Sequence, residues 1–488
     1  MALEDIRNIR LEKLEKLKKA GIDPYPAKSW RSHMIGQALD NFDDLSDSKS
    51  RIVLVGRIMA KREHGGSVFL DLVDESEKVQ VYFKKDVLGE REFDFFMETV
   101  DIGDFLEVYG FLFKTKKEEK TLEVEKYRVL VKSIMPLPEK WHGLQDIEER
   151  YRKRYLDLVF NDEVKEKFKT RTTIIKELRS FLDSNDFMEV ETPILQLIPG
   201  GALAKPFKSH MNTLDLEVYL RVAPELFLKR LLVGGFERVY EFAKNFRNEG
   251  MDHDHNPEFT MLEFYAAYKD YNWVMEFSEQ MLENLAAKIF SNTKVLHEGR
   301  EIDLHGPYKR LTFNDILKEF SGLDYDDVDE EIFSKKAKDL GIAVDKTMTK
   351  GNIADEIYKK IARPNIIQPT FVTNHPLEIS PLAKKLENNP DYVARVQLIV
   401  GGQELTNCFS ELNDPIDQKE RFEIQQKLIS KGHQEAHPYD QDFVEALEYG
   451  MPPAVGFGMG IDRLTVLFTN SHALREVILF PLMKPRSE

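Results

Sequence analysis

The side chains best suited to binding a phosphate lie at the start of a polar segment, residues 248–256, and within it. It lies between two stretches whose alternating side chains predict strands. Arg247 stands where the first strand meets this segment, and its guanidinium can hold a phosphate through two parallel N–H donors. Glu249 follows, and His255 can add a donor to the same anion. The alternative interpretation of Arg247 and Glu249 is a surface ion pair.

A glycine-rich stretch near the end of the chain is the second candidate for ligand binding. Gly456, Gly458 and Gly460 would let a flat ligand lie against a strand. Arg463 follows near the start of a predicted helix, where backbone N–H groups also attract phosphate. The dinucleotide fingerprint would need glycine in place of Ile461, and the chain has no G-x-x-x-x-G-K-[ST] loop. Neither common type of nucleotide site is therefore expected.

Composition limits the class of protein further. The chain has 488 residues, 42% of them hydrophobic, which favours two or three folded domains over a disordered chain. Its single cysteine, Cys408, cannot form an internal disulfide or a zinc site and fits a reducing cytosol. No apolar run approaches the roughly 18 residues of a membrane span, and no secretory signal is visible. We expect a soluble, cytoplasmic protein with no membrane partner.

The charge pattern argues against a general nucleic-acid binder but permits local basic surfaces. The formal net charge is -16, whereas phosphate contacts need Lys and Arg. Basic residues cluster at 7–19 and at Arg150–Arg154. Each cluster is either a solvated helix face or part of a nucleic-acid surface.

Side-chain periodicity predicts the elements that position these residues in the first part of the chain. Apolar residues at helical spacing predict an amphipathic helix over 4–19, ended by Gly21 and Pro24. A small β domain follows, with a helix over 86–100 between its third and fourth strands. The strands are expected at 51–59, 67–73, 77–83, 105–113 and 122–131. This is the order of an OB-fold barrel, which commonly binds single-stranded nucleic acid; a purely structural barrel is the alternative.

The rest of the chain predicts a larger domain. Pro136 and Pro138 mark the end of the barrel. Helices and strands then alternate without a regular βαβ rhythm, and residues 163–184 predict a long amphipathic helix. We expect a mainly antiparallel sheet flanked by helices and hence an α+β protein. The predicted domains are an N-terminal helix and lead-in at 1–50, the barrel at 51–138 and the large domain at 139–488.

Three stretches resemble, in order, motifs 1, 2 and 3 of class II aminoacyl-tRNA synthetases. They are residues 187–193, the segment around Arg247 and the stretch that ends beyond Arg463. The resemblance to bacterial-type lysyl-tRNA synthetases is close and covers nearly the whole chain. The matching segments include PEKWHGLQDIEERYRKRYLDL from Pro138, IPGGALAKPF from Ile198, RVAPELFLKRLLVGGFERVYE from Arg221, HPLEISPLAKK from His375, FSELNDPIDQ from Phe409 and GMGIDRLTVLFTNSHALREVILFP from Gly458.

The resemblance implies that ATP activates L-lysine to lysyl-adenylate and that the lysyl group passes to the 3′ end of tRNA(Lys). Arg247 and Arg463 would be the catalytic residues, at the α-phosphate and the γ-phosphate end of ATP. The other ATP-binding residues would be Glu249, His255, Asn256, Phe259, which stacks on adenine, and Glu404. Glu404 would also bind Mg²⁺ that bridges phosphates, because carboxylate oxygen suits this hard cation.

The resemblance also implies a pocket for the lysine substrate. Its residues would be Gly201, Glu225, Glu263, Tyr265, Asn407, Phe409 and Glu411. A buried ammonium needs carboxylates and other acceptors, and three glutamates would supply them; a structural ion pair is the alternative for Glu225 or Glu411. If residues 405–411 form a strand, the three pocket residues on it share one face and Glu404 has the opposite parity. The strand must then bend, or Glu404 points elsewhere.

The barrel and motif 1 carry the implied partners. In the barrel, the resemblance makes Arg62 a phosphate or base contact, Phe69 a base-stacking aromatic and Gln80 a base-reading amide for the anticodon. The basic N-terminal helix would aid tRNA binding. Motif 1 around Pro193 would form the interface of a homodimer.

Two residues depart from the family pattern. Gln397 stands where the family usually has a glutamate that helps to bind Mg²⁺, and a neutral amide is a poorer ligand. The number and strength of the Mg²⁺ sites are therefore left open. Cys408 replaces a usually small residue beside Phe409 and is expected to pack.

Other functions remain open at this point. An aspartyl- or asparaginyl-type class II synthetase shares the barrel and the motifs, but an aspartate pocket should offer cations where this chain has acids. An enzyme that attaches an amino acid to a protein lysine would lack the barrel. A catalytically inactive RNA-binding paralogue would be favoured by loss of Arg247 or Arg463, yet both are present, and Gln397 is its only support.

Overall fold

The structure is a computed structural model that describes residues 2–138, 146–202, 204–346, 348–430 and 437–486. The chain divides into two units, Met1–Gln145 and Asp146–Glu488. The predicted start of the large domain at residue 139 lies outside the described residues. The three predicted domain boundaries stay predictions.

Five strands of the first unit close into a barrel. In chain order they are Arg51–His64, Ser67–Val73, Lys78–Lys84, Phe105–Lys114 and Lys120–Val131. Around the barrel the order is first, second, third, fifth and fourth. The helices Lys85–Leu88 and Glu90–Thr99 connect the third strand to the fourth. This arrangement confirms the OB-fold prediction.

Alternate residues of each strand build the barrel interior. On the third strand Val79, Val81 and Phe83 are buried. Gln80 and Tyr82 face outward and are half-buried. The period of two therefore separates core residues from surface residues, as the sequence predicts.

Three helices pack against the barrel from the N-terminal side: Leu3–Lys19, Ile35–Asp40 and Phe42–Asp47. Leu17 and Phe42 join the core of the barrel. On the first helix Arg10 is buried and donates to three backbone carbonyls of this unit. Lys13 on the same helix pairs with Asp101. Part of the basic character of this helix therefore stabilises its packing, and its contribution to tRNA binding stays a prediction.

An eight-stranded sheet forms the centre of the second unit. Across the sheet the strands are Lys309–Thr312, Thr370–Pro376, Tyr392–Val400, Gln403–Ser410, Ala454–Gly460, Glu258–Ala267, Arg238–Phe246 and Met188–Glu189. Neighbours are antiparallel except for the outermost pair at each edge, which is parallel. The mainly antiparallel sheet and the α+β class are confirmed.

Smaller sheets and helices surround this sheet. The short strands are Leu195–Gln196, Lys208–Met211 and Leu216–Leu220 in one sheet, and Lys294–His297 and Arg300–Asp303 in another. The helices are Ile147–Arg152, Arg154–Phe160, Asp162–Ser184, Glu225–Val233, Tyr271–Phe290, Phe313–Ser321, Glu330–Asp339, Lys350–Ile357, Pro415–Ser430, Gln441–Glu448 and Ile461–Phe468. Within the described ranges, none of the helices combines the length and the apolar character needed to cross a membrane.

The basic run Arg150–Arg154 serves the fold of the second unit. Arg154 is 2% exposed, lies 2.6 Å from an oxygen of Asp157 and donates to the carbonyl of Leu479. Arg150 pairs with the same aspartate at 2.8 Å. Neighbouring acids thus neutralise much of this run, as expected of a structural cluster rather than a phosphate-binding surface.

Candidate active site

A cavity of about 910 Å³ is lined by the central strands of the large sheet. Its wall contains nearly all the residues that the sequence assigns to ATP and lysine. They are Gly201, Glu225, Arg247, Glu249, His255, Asn256, Phe259, Glu263, Tyr265, Glu404, Asn407, Phe409 and Arg463. Glu411 lies at the wall, where a Cβ atom on Gly456 would collide with its Oε1. The fold therefore brings distant stretches of the chain to one place.

Arg247 lies in the cavity with its guanidinium uncommitted. Its Cζ is 5.0 Å from the centroid of the Phe259 ring, which is a cation–π contact. Its Nε has no hydrogen-bond partner in the part of the chain that the structure describes, and no ion pair joins it to Glu249 there. The charge of Glu249 acts on Arg247 but no ion-pair contact joins the two side chains in the described ranges, and Nε of Arg247 is available to an anion.

Arg463 is held at the start of the helix Ile461–Phe468. Its Nη1 donates to the backbone oxygen of Glu404 at 2.9 Å. The neighbouring Asp462 accepts from the backbone N–H of Thr260 at 2.8 Å and pairs with Arg171 at 2.6 Å. These contacts fix the helix start against the strand Glu258–Ala267 and so orient Arg463 toward the cavity.

The remaining nucleotide candidates, Glu249, His255 and Asn256, line the cavity. Glu249 and His255 are exposed, and Nδ1 of His255 lies 2.9 Å from an oxygen of Asp252. Asn256 is buried and donates from Nδ2 to the carbonyl of Glu258. Its Oδ1 has no partner among the described residues, so it remains an acceptor for a ligand.

A β-bulge places Glu404 on the same face of its strand as Asn407 and Phe409. Leu398 pairs with Thr406, whereas the next residue, Ile399, pairs with Glu404. Leu405 is therefore the extra residue, and the alternation of side chains shifts by one at this point. The strand bends, which is the first of the two alternatives that the sequence left open, and Glu404 joins Asn407 and Phe409 at the cavity.

Gln397 holds the Glu404 carboxylate from the next strand. Its Nε2 donates to Oε2 of Glu404 at 3.0 Å, and its Oε1 accepts from the hydroxyl of Tyr358 at 3.4 Å. The described part of the chain contains no cluster of three or more His, Cys, Asp or Glu arranged for a metal. Glu404 still fits Mg²⁺, because this ion commonly binds one or two carboxylates and takes its other ligands from phosphate and water.

Three glutamates form a buried acidic group in the cavity. Burial, together with the charge of Glu225, raises the pKa of Glu263 to about 8. Burial also raises the pKa of Glu411 to about 8, although Lys229 acts in the opposite direction. Buried carboxylates of this kind favour a cation as their partner. The acidic group therefore has the chemistry that recognises an ammonium.

A lysine, Lys229, lies among these glutamates, and the sequence analysis did not identify it. It is fully buried, and its Nζ lies 2.6 Å from Oε1 of Glu225 and forms a second ion pair with Oε2 of Glu411. A structural ion pair therefore exists at both glutamates. The available signal was the four-residue spacing of Glu225 and Lys229, which places them on one face of a helix.

A buried histidine positions Gly201. The backbone N–H of Gly201 donates to Nε2 of His437 at 2.8 Å, and Nδ1 of His437 lies 2.7 Å from the carbonyl of Pro438. These two partners fix the neutral tautomer with the proton on Nδ1. Burial lowers the pKa of His437 to about 4, which keeps it neutral. Gly201 itself has φ +90°, and a Cβ there would lie 2.9 Å from the Cβ of Glu225.

The other predicted pocket residues form the walls. Asn407 accepts from Nε of Arg395 at 2.8 Å through Oδ1, which leaves its amide N–H donors for a ligand. Arg395, which the sequence analysis did not identify, is fixed by the hydroxyl of Ser380 at 3.0 Å. Tyr265 is buried and Phe409 half-buried. Cys408 is buried in the core, as expected.

The predicted anticodon residues are neighbours on the barrel surface. Arg62 is opposite Phe69 in register, and Phe69 stacks on Tyr82 with ring centroids 4.4 Å apart. Oε1 of Gln80 accepts from the hydroxyl of Thr121 at 3.0 Å, which leaves its N–H groups as donors. Arg62 is tied to Asp71 at 2.7 Å. Stacking aromatics beside an amide suit single-stranded bases.

Comparison with known proteins shows similarity along almost the whole chain. Residues 146–484 match a family model described as tRNA synthetases class II (D, K and N), and residues 52–130 match one described as OB-fold nucleic acid binding domain. The chain is 49% identical over 485 residues to the lysine–tRNA ligase of Carboxydothermus hydrogenoformans, with 99% of both chains covered. It is 48% identical over 489 residues to that of Thermoanaerobacter pseudethanolicus, covering 100% of this chain and 97% of the relative. The similarity to that of Clostridium acetobutylicum is 48% over 489 residues, covering 99% and 94%.

Proposed function

Since the chain belongs to the class II tRNA synthetases (D, K and N), and within them to the lysine–tRNA ligases, we propose that its cavity activates L-lysine with ATP and that the lysyl group then passes to the 3′ end of tRNA(Lys). The observation that carries the choice of lysine is the buried acidic group of Glu225, Glu263 and Glu411. An ammonium is attracted there, whereas the carboxylate of an aspartate substrate would be repelled. An inactive paralogue is disfavoured because Arg247 and Arg463 are both present at the cavity.

The first step requires positioning and charge neutralisation at phosphorus rather than a covalent enzyme intermediate. A carboxylate oxygen of lysine attacks the α-phosphorus of ATP, the bond to the β-phosphate oxygen breaks, and pyrophosphate leaves. We assign the α-phosphate to Arg247 and the γ-phosphate end to Arg463. Phe259, beside Arg247, would stack on adenine.

Three further residues that line the cavity would complete the nucleotide site. Glu249 and His255 are exposed and able to meet an entering nucleotide. The unpartnered Oδ1 of Asn256 would accept from the amino group of adenine.

Glu404 is the residue that we assign to Mg²⁺. When bound there, the ion would neutralise phosphate charge and hold the phosphates in one geometry. Glu404 presents its carboxylate at the cavity, and Gln397 fixes one of its oxygens. Gln397 would therefore orient the ligand rather than serve as a second charged ligand.

Different glutamates of the acidic group would bind the two ammonium groups of lysine. The charge of Glu263 acts on Arg247, so Glu263 lies toward the reacting end. We assign Glu263 to the α-ammonium, with Gly201 and Asn407 beside it. Glu411 and Glu225 would bind the side-chain ammonium. Tyr265 and Phe409 would enclose the methylene chain.

The barrel would bind the anticodon through Arg62, Phe69 and Gln80, and a second copy of the chain would bind near motif 1. Large apolar side chains are exposed after motif 1 and in the adjacent small sheet and its connecting turn: Ile194, Leu195, Leu197, Met211 and Leu214. A cluster of this kind marks a protein interface. We therefore propose a homodimer, and we propose a cytoplasmic location from the single cysteine.

Two measurements test this function. Amino-acid-dependent exchange of pyrophosphate into ATP reports the first step, and transfer of labelled lysine to tRNA reports the second. Activation and charging with lysine support the proposal. Activation of aspartate or asparagine instead would overturn the substrate assignment.

A further inference from the structure

The buried Lys229 has no part in the reaction steps above. The helix Glu225–Val233 places it one turn after Glu225. Its Nζ contacts a carboxylate oxygen of Glu225 at 2.6 Å and one of Glu411, and it lies 5.2 Å from the centroid of the Phe409 ring. Because its side chain is 0% exposed, Lys229 contacts the two carboxylates from within the protein interior.

Lys229 changes the charge that a ligand meets. Burial acts to lower the pKa of Lys229, but the charges of Glu225 and Glu411 outweigh burial and raise this pKa. Once Glu411, whose pKa burial raises to about 8, is ionised, two carboxylates and one ammonium leave one net negative charge, which suits one cationic group. Arg395 also acts on Glu225, but more weakly than Lys229, and it is committed to Asn407. Without Lys229 the two carboxylates would repel each other, and one would take up a proton.

Lys229 also contacts one particular oxygen of Glu411. Its ion pair is with Oε2; neither oxygen of this carboxylate has a hydrogen-bond partner in the described ranges, and the other oxygen is Oε1. That oxygen is the atom with which a Cβ on Gly456 would collide, and Gly456 lines the cavity. Because Gly456 has no side chain, the buried Oε1 lies directly behind this part of the cavity wall, and Lys229 contacts the same carboxylate at Oε2.

We propose that Lys229 is a specificity-determining residue, which sets the charge and the depth of the side-chain pocket by holding Glu225 and Glu411 from behind. The pocket then accepts one ammonium at the length of a lysine side chain and excludes a longer amine. This inference rests on the proposed function, namely that the cavity binds lysine.

The first test replaces the charge while keeping the length. Lys229→Met should raise the KM for lysine in pyrophosphate exchange by about tenfold or more and change the KM for ATP by less than about twofold. Lys132→Met is the matched control, because Lys132 is also fully buried and pairs with two carboxylates, Asp101 and Asp104, in the barrel unit. The control should lower thermal stability without changing the KM for lysine. A folded Lys229→Met protein with an unchanged KM for lysine would overturn the inference.

Chemical rescue separates a missing cation from general damage. Lys229→Ala should regain part of its affinity for lysine in ethylammonium chloride, but not in sodium chloride of equal ionic strength. No rescue would count against the inference.

The unaltered protein gives a measurement that needs no variant. Homolysine, whose side chain is one methylene longer, should compete poorly with lysine, and equal competition would overturn the proposed depth limit. Absence of any lysine-dependent exchange in the unaltered protein would instead refute the proposed function itself.

Discussion

Gln397 donates from Nε2 to Oε2 of Glu404 over 3.0 Å, and its Oε1 faces the hydroxyl of Tyr358 at 3.4 Å. Both ends of the amide are therefore engaged within the protein. A carboxylate at position 397 could not donate to Glu404 and would repel it at that distance. The neutral amide thus holds Glu404 in place without a metal, but it offers no second charge to Mg²⁺.

Replacing the amide by a carboxylate should make this region depend on metal. We predict that Gln397→Glu lowers the free energy of unfolding of the metal-free protein by roughly 1–3 kcal/mol, because a buried hydrogen bond becomes a repulsion. Mg²⁺ with a non-hydrolysable ATP analogue should recover most of this loss. Thermal unfolding with and without Mg²⁺ measures both effects. Tyr358→Phe is the control, since it removes the hydroxyl without adding charge; equal Mg²⁺-dependent gains in all three proteins would contradict the prediction.

The acidic group should discriminate between the two substrates. Glu411→Gln removes one charge from the end of the cavity assigned to the side-chain ammonium. We predict a rise in the KM for lysine of about tenfold or more, corresponding to about 1.4 kcal/mol, and a change of less than about twofold in the KM for ATP. Steady-state pyrophosphate exchange gives both constants. Equal losses for lysine and ATP would indicate a general disturbance of the cavity instead.

The same group should make lysine binding depend on pH. Burial raises the pKa of Glu263 and of Glu411 to about 8, from an ordinary value of 4.5. These groups hold protons more tightly in the folded protein, so the free energy of unfolding without substrate should fall as pH rises from about 4.5 to about 8. An ammonium favours the ionised carboxylates, so stabilisation by a fixed lysine concentration should grow between about pH 6 and 8. Thermal unfolding across this range tests the sign, and a lysine effect that is constant or shrinks would refute it.

Association of two chains should depend on the exposed apolar side chains near motif 1. Leu197 is 64% exposed, and Leu197→Asp should weaken the dimer by placing a charge in the interface. Sedimentation at micromolar concentration should give twice the chain mass of 56.8 kDa for the unaltered protein and a lower mass for the variant. Ile332→Asp, on the helix Glu330–Asp339, should leave the mass unchanged. A single-chain mass for the unaltered protein would contradict the homodimer.

Residues that follow a simple period or a recognisable motif could be predicted from the sequence. The alternation of Val79, Val81 and Phe83 gave the inner face of a barrel strand, because burial on one face produces a period of two. The cavity residues were predicted from the motif resemblance, which gives the order of Arg247 and Arg463 along the chain but no distance between them in space.

Other features depend on contacts that no local pattern encodes. The bulge at Leu405 brings Glu404 to the cavity, and nothing in the local residue types marks an inserted position. His437 supports Gly201 from 236 residues away. In the sequence, Glu225 and Lys229 have the spacing of an ordinary ion pair on a helix. The second carboxylate, that of Glu411, follows a strand that is distant in the chain. Long-range partners of buried polar groups were therefore the part that only the structure could show.

We propose that the cavity activates lysine and no other amino acid. Pyrophosphate exchange into ATP, measured with each of the twenty amino acids in turn, tests it directly. We predict exchange with lysine alone, and a loss of about 100-fold or more in Arg247→Met, because a donor to developing phosphate charge is removed. Exchange with aspartate or asparagine, or none from a folded sample that binds ATP, would contradict the claim.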